Sequence, residues 1–76
     1  TDTFAIEVDY GKKWAESIGQ SLYYSVLTGK QAGVLLILDG ENEKIYLKRL
    51  MAVAIKYDIT VWTIDYKTDK WKKIDL

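Results

Sequence analysis

Glu7 and Asp9 stand two residues apart in a stretch that alternates apolar and polar side chains, and the basic pair Lys12-Lys13 follows at once. On a strand, residues two apart share a face at roughly 6.5–7 Å. That spacing lets two carboxylates share or flank a divalent ion, Mg²⁺ or Mn²⁺. An ion held there polarises a phosphate and lowers the pKa of an attacking water. In the helix that follows, Lys13, Glu16, Gln20 and Tyr24 fall on one stripe, roughly 80° wide at 100° per residue. An E-x-D strand followed by such a stripe has the layout of a phosphodiester-cleaving site. The plainer readings are a charged sheet face and an amphipathic helix whose polar side meets solvent.

Composition restricts the chemistry further. The 76 residues contain no Cys and no His. Disulfides, zinc sites of the usual kind, Cys or Ser–His nucleophiles and His general bases are excluded. Any chemistry must come from Asp, Glu, Lys, Arg, Tyr or Gln, with a hard cation held by carboxylates. Eleven basic residues balance 11 acidic ones, so a nucleic-acid footprint would have to be local. Three Trp, six Tyr and one Phe, with 49% hydrophobic residues overall, are enough for one core. A chain this short makes one domain over residues 1–76, with a narrow stability margin. It opens at Thr1 in strand-like sequence, which is the expectation for a fragment of a longer chain. No run approaches transmembrane length and no signal-peptide pattern is present, so a soluble domain without membrane contact is expected.

The elements that must position these residues can be read from periodicity. Over Thr3–Tyr10, Phe4, Ile6, Val8 and Tyr10 point one way and Ala5, Glu7 and Asp9 the other. Lys12–Thr28 has helical period, with Trp14, Ala15, Ile18, Leu22, Ser25 and Val26 on the apolar arc and Gly29 as the stop. Gly33–Leu38 is a continuous apolar run that suits a strand buried on both faces. Asp39 or Asn42 can cap a second helix over Asn42–Tyr57, which buries Tyr46, Leu47, Leu50, Val53, Ala54 and Tyr57. Ile59–Tyr66 reads as the third strand, Lys67–Lys70 as a turn and Trp71–Leu76 as a short edge strand. The expected fold is α/β: a small three- to four-stranded, mainly parallel β-α-β-α-β sheet with two flanking helices.

Together these features resemble the PD-(D/E)XK, or restriction-endonuclease-like, nuclease superfamily, and within it the RecB-like and resolvase-like branches. The resemblance rests on Glu7-Val8-Asp9 on the strand, Gln20-Ser21-Leu22-Tyr23-Tyr24 as the Q-x-x-x-Y signature, and Gly33–Leu38 as the next strand. It covers roughly residues 3–40. Trp14–Tyr24 followed by Thr28–Lys30 is also similar to a group of small bacterial proteins that carry W-A-E-x-I-G-Q-x-L-Y-Y and then T-G-K. The nuclease resemblance implies a metal-dependent enzyme acting on DNA, with Glu7, Asp9 and Glu16 as metal ligands. It implies that Lys13 stabilises the phosphate charge, and that Gln20 and Tyr24 position the strand or the acidic motif. This sequence departs from the family twice. Asp9 stands where the family has Lys, with Lys13 or Lys12 as the displaced cation. The family's first acidic residue, on a preceding hairpin strand, has no counterpart here. A core cut from a longer chain, a core completed by another chain and an inactive core each fit that pattern.

Two further expectations follow from the residues. Asp9, Asp39 and Asp65 each stand near the carboxyl end of an expected parallel strand, where open α/β sheets bind ligands. Three carboxylates there could hold Mg²⁺ as in toprim-like or phosphohydrolase-like domains, although strand-end Asp also serves turns and caps. The non-enzymatic alternative is a binding or oligomerisation module. An exposed sheet edge would then pair with a second chain as a homodimer or by strand exchange.

Overall fold

The computed structural model describes residues 1–40 and 42–75. Glu41 of the acidic loop and Leu76 at the end of the expected last strand lie outside the described residues. The elements run β1 (Phe4–Tyr10), a 3-10 turn (Gly11–Lys13), α1 (Trp14–Thr28), β2 (Gln31–Leu38), α2 (Glu43–Tyr57), β3 (Thr60–Asp65) and β4 (Trp71–Ile74). The fold is α/β, an open four-stranded mixed sheet with two helices.

Boundaries differ from the sequence expectation for local reasons. Lys13 at the N-cap of α1 has no side-chain oxygen to accept a bond, and the chain enters through the tighter 3-10 turn, so α1 begins at Trp14. The strand β2 begins two residues early, because the Gln31 amide donates to the Thr3 carbonyl at 3.0 Å and continues the ladder. Neither Asp39 nor Asn42 caps α2: Asn42 occupies the cap position in a left-handed conformation (φ 68°) and makes no side-chain cap bond. Glu43 supplies negative charge to the first turn instead. At the other end of α1, Gly29 takes φ 70° and returns its amide to the Ser25 carbonyl at 2.9 Å, which terminates the helix.

Strand order in the sheet is β1-β2-β3-β4. β1 pairs with β2, and β2 with β3, in parallel; β3 and β4 are antiparallel. Register assigns each residue a face. Ala5, Glu7 and Asp9 align with Ala32, Val34 and Leu36, and the last two with Val61 and Thr63. This face meets both helices. Val34, Leu36 and Val61 bury fully with Leu50 and Ala54 of α2, and Trp14, Ile18 and Leu22 of α1 pack against them. Two crossovers that step the same way along a sheet deliver both helices to one side when they share a hand.

The opposite face therefore has no layer over it among the described residues. It carries Phe4, Ile6 and Val8 of β1, Leu35 and Ile37 of β2, Trp62 and Ile64 of β3, and Trp71 of β4. The central strand β2 is thus buried on one face only, and Leu35 and Ile37 keep partial exposure. The apolar arc of α1 is also rotated from the expected one. Ser17 and Ser21 are fully buried, whereas Val26 is 83% exposed. Tyr57 in the last turn of α2 is exposed as well.

Candidate active site

Glu7 and Asp9 lie on the helix-facing side of β1, an edge strand, and both are partly buried. The Glu7 carboxyl titrates above its ordinary range. Partial burial is the larger cause, and the negative charge of Asp9 adds to it. The two carboxyls therefore sense each other, as their shared face requires.

The stripe on α1 belongs to the helix that packs on β1. α1 packs on β1, β2 and α2. Ile18 and Leu22 turn toward the core shared with α2. At 100° per residue, Gln20 and Tyr24 fall on the opposite flank of α1, and Lys13 ends the 3-10 turn that precedes it. Between flank and sheet lie Ser17 and Ser21, whose hydroxyls donate to the carbonyls of Trp14 and Ile18 at 2.7 and 2.9 Å. Small and internally satisfied, they let the helix approach the sheet without a buried unpaired hydroxyl. Serine at 17 and 21, four apart, was the sequence signal for that contact.

Other site residues are less gathered. Lys13, Glu16, Gln20 and Tyr24 are exposed, and the Tyr24 ring packs at 5.7 Å against Tyr23. Lys12 turns to the strand ends, where it shares a cleft of about 270 Å³ with Tyr10, Asp39 and Tyr66. Among the described residues, no group of three or more acidic side chains could hold a metal ion. Glu16 does not join Glu7 and Asp9 in such a group. Asp39 and Asp65 line a second cleft of about 390 Å³, with Leu38, Gly40, Glu43 and Lys67. Asp9 is not on its wall. Asp65 is occupied by its own turn, where Oδ1 accepts the amides of Lys67 and Thr68 at 2.8 and 3.1 Å. The cations Lys44, Lys48, Arg49 and Lys56 of α2 are exposed.

The sequence did not reveal the apolar groove on the uncovered sheet face. It has a volume of about 450 Å³, and its walls include Phe4, Ile6, Leu35, Trp62, Ile64 and Trp71. Phe4 meets Trp62 edge to face, with centroids 5.0 Å apart and planes at 89°. Alternation over Thr3–Tyr10 identified the apolar side of β1 but not which side the helices would take. No helix among the described residues is long and apolar enough to cross a membrane. No family model, curated protein or solved structure matches this chain.

Proposed function

We propose that this chain is the core of a restriction-endonuclease-like domain, derived from a metal-dependent nuclease that acts on DNA phosphodiesters. The observation that carries the reading is the placement of Glu7 and Asp9 side by side on one partly buried strand face, where burial and Asp9 raise the pKa of Glu7. Partial burial and the neighbouring Asp9 charge disfavour ionised Glu7, a cost that a divalent cation would offset. Two carboxylates offer part of an octahedral oxygen set, and the remaining positions suit water and a substrate phosphate. The chemistry supplied by bound Mg²⁺ or Mn²⁺ is polarisation of the phosphate and acidification of a water. Glu7 and Asp9 hold the cation. Gln20 and Tyr24 orient the acidic strand or the nucleic-acid backbone. Lys13, at the mouth of the helix, offsets phosphate charge. Glu16 lies further round the helix and acts through water.

The test is cleavage of labelled single-stranded and duplex DNA with Mn²⁺ or Mg²⁺, with Glu7→Ala purified in parallel. Metal-dependent cleavage that disappears in the variant supports the nuclease. Equal inactivity of two well-folded proteins, with no Mn²⁺ binding by calorimetry, rejects it.

A second reading is a non-enzymatic assembly module of the same fold. The outer edge of β1, which pairs with no other strand among the described residues, favours it, because such a row of amides and carbonyls accepts another strand. The toprim-like reading has less support, since Asp9 stands apart from the cleft shared by Asp39 and Asp65.

A further inference from the structure

The two edges of the sheet carry opposite charge. At one edge, β1 presents Glu7 and Asp9 on its helix-facing side. At the other, β4 presents Lys72 on that same side, since Lys72 aligns with Thr63 and Ile74 with Val61. Lys70 precedes β4 directly, and all three lysines from Lys70 to Lys73 are exposed. β4 runs antiparallel to β3, and β3 is parallel to β2 and β2 to β1. A β4 edge laid against the β1 edge of a second copy in a continuing sheet is therefore an antiparallel pair.

Register can be worked out from the faces. Helix-facing residues must meet helix-facing residues, so Lys72 comes opposite Glu7 or Asp9. With Lys72 opposite Glu7, Lys70 comes opposite Asp9 and Ile74 opposite Ala5. On the uncovered face Trp71 then meets Val8, which extends the apolar surface across the junction. Like edges cannot do this. Two β1 edges would set carboxylate against carboxylate, and two β4 edges lysine against lysine, both unfavourable across strands.

We infer that the β1 edge is a docking site for the β4 edge of a second copy of this chain, in the antiparallel register that sets Lys72 against Glu7 and Lys70 against Asp9. The contact is heterologous, so it propagates into open assemblies rather than closing as a two-fold dimer. The inference does not rest on the cation-site reading, and a chelator in every sample keeps the two separate.

The test is sedimentation velocity over a concentration series, in low and high salt, on the wild type and two charge-reversed proteins. One is Glu7→Lys/Asp9→Lys and the other Lys70→Glu/Lys72→Glu. Far-UV circular dichroism establishes that each is folded. The wild type should form species larger than dimers that dissociate as salt is raised. Each variant alone should need about tenfold more protein to assemble, because two attractive cross-strand pairs have become repulsive. An equimolar mixture of the variants should recover assembly, since each basic edge then finds an acidic one. A wild type that stays monomeric at every concentration overturns the inference. So does assembly that the variants leave unchanged, or a mixture no better than its parts.

Discussion

The ring of Trp62 lies over Gly33 of the neighbouring strand. A Cβ added to Gly33 would come within 2.8 Å of Trp62 Cζ3 and 3.4 Å of Ile6 Cγ1. Glycine at this position is a matter of space: its missing side chain forms the floor on which the indole rests. Trp62 in turn takes the edge-to-face contact with Phe4, so three strands are tied together on the uncovered face.

Gly33→Ala should therefore destabilise the fold by about 1–3 kcal/mol, the usual cost of forcing a group into filled space. Urea denaturation monitored by tryptophan fluorescence measures it. Gly19→Ala is the control, because nothing lies within 4 Å of a Cβ there. That exposed helical substitution should raise stability by about 0.5–1 kcal/mol.

Glu7 predicts a pH dependence of definite sign. Its raised pKa means that the folded protein keeps the proton over a range in which the unfolded chain has released it. The stabilising contribution is complete below the ordinary glutamate value of about 4.3 and is lost as pH rises through the raised folded value. Glu7→Gln should thus be more stable than wild type at neutral pH, with the difference vanishing as pH falls below about 4. Chemical denaturation across that range tests it. A Gln variant less stable than wild type at pH 7 would reverse the sign.

Asp58 and Gly29 make a matched pair of helix ends. Both are left-handed, with φ 56° and 70°. Asp58→Gly should stabilise by about 0.5–1 kcal/mol by relieving a non-glycine residue of that conformation. The backbone carbonyl that accepts the Gln31 side-chain amide is retained. Gly29→Ala should cost about 1 kcal/mol for the converse reason. Thermal melts distinguish the two.

Leu50 and Val26 test the rotated helix faces. Leu50 is fully buried and Val26 is 83% exposed. Leu50→Ala should cost about 2–5 kcal/mol. Val26→Ala should change stability by no more than about 0.5 kcal/mol. Comparable losses at both sites, read from denaturation midpoints, would mean that the outer side of α1 is covered in solution.

Much of this architecture could be read from the residues. Period two over Thr3–Tyr10, period 3.6 after Lys12 and the run Gly33–Leu38 placed the first two strands and the first helix within one or two residues of their observed ends. Gly29 stopped α1 as its conformational freedom predicts. Periodicity, however, reports that a strand has two unlike faces, not which one a helix will cover. Phe4, Ile6 and Val8 make the apolar side of β1, yet the helices cover Ala5, Glu7 and Asp9. That assignment depends on which way each crossover steps along the sheet, a non-local property. The site was legible at the same level. Glu7 and Asp9 share a face as spacing requires, while Glu16 did not join them, because angular position on a helix fixes direction but not reach, and Asp39 lines a cleft with Asp65 that Asp9 does not share.

Strand order in this sheet follows chain order, and the two parallel pairings are equally long-range: Phe4 pairs with Gln31 and Gly33 with Thr60, 27 residues on in each case. Among the described residues, no strand inserts between two others already in place. A nascent chain emerging from its amino terminus can therefore complete β1-α1-β2 before β3 exists, then add each later strand to a finished edge. Loop closure never exceeds one such unit, and its entropy grows only slowly with length. The same simplicity leaves β2 as an unprotected edge during synthesis until α2 and β3 arrive, so the passage between those two stages is when this chain is most exposed to mispairing.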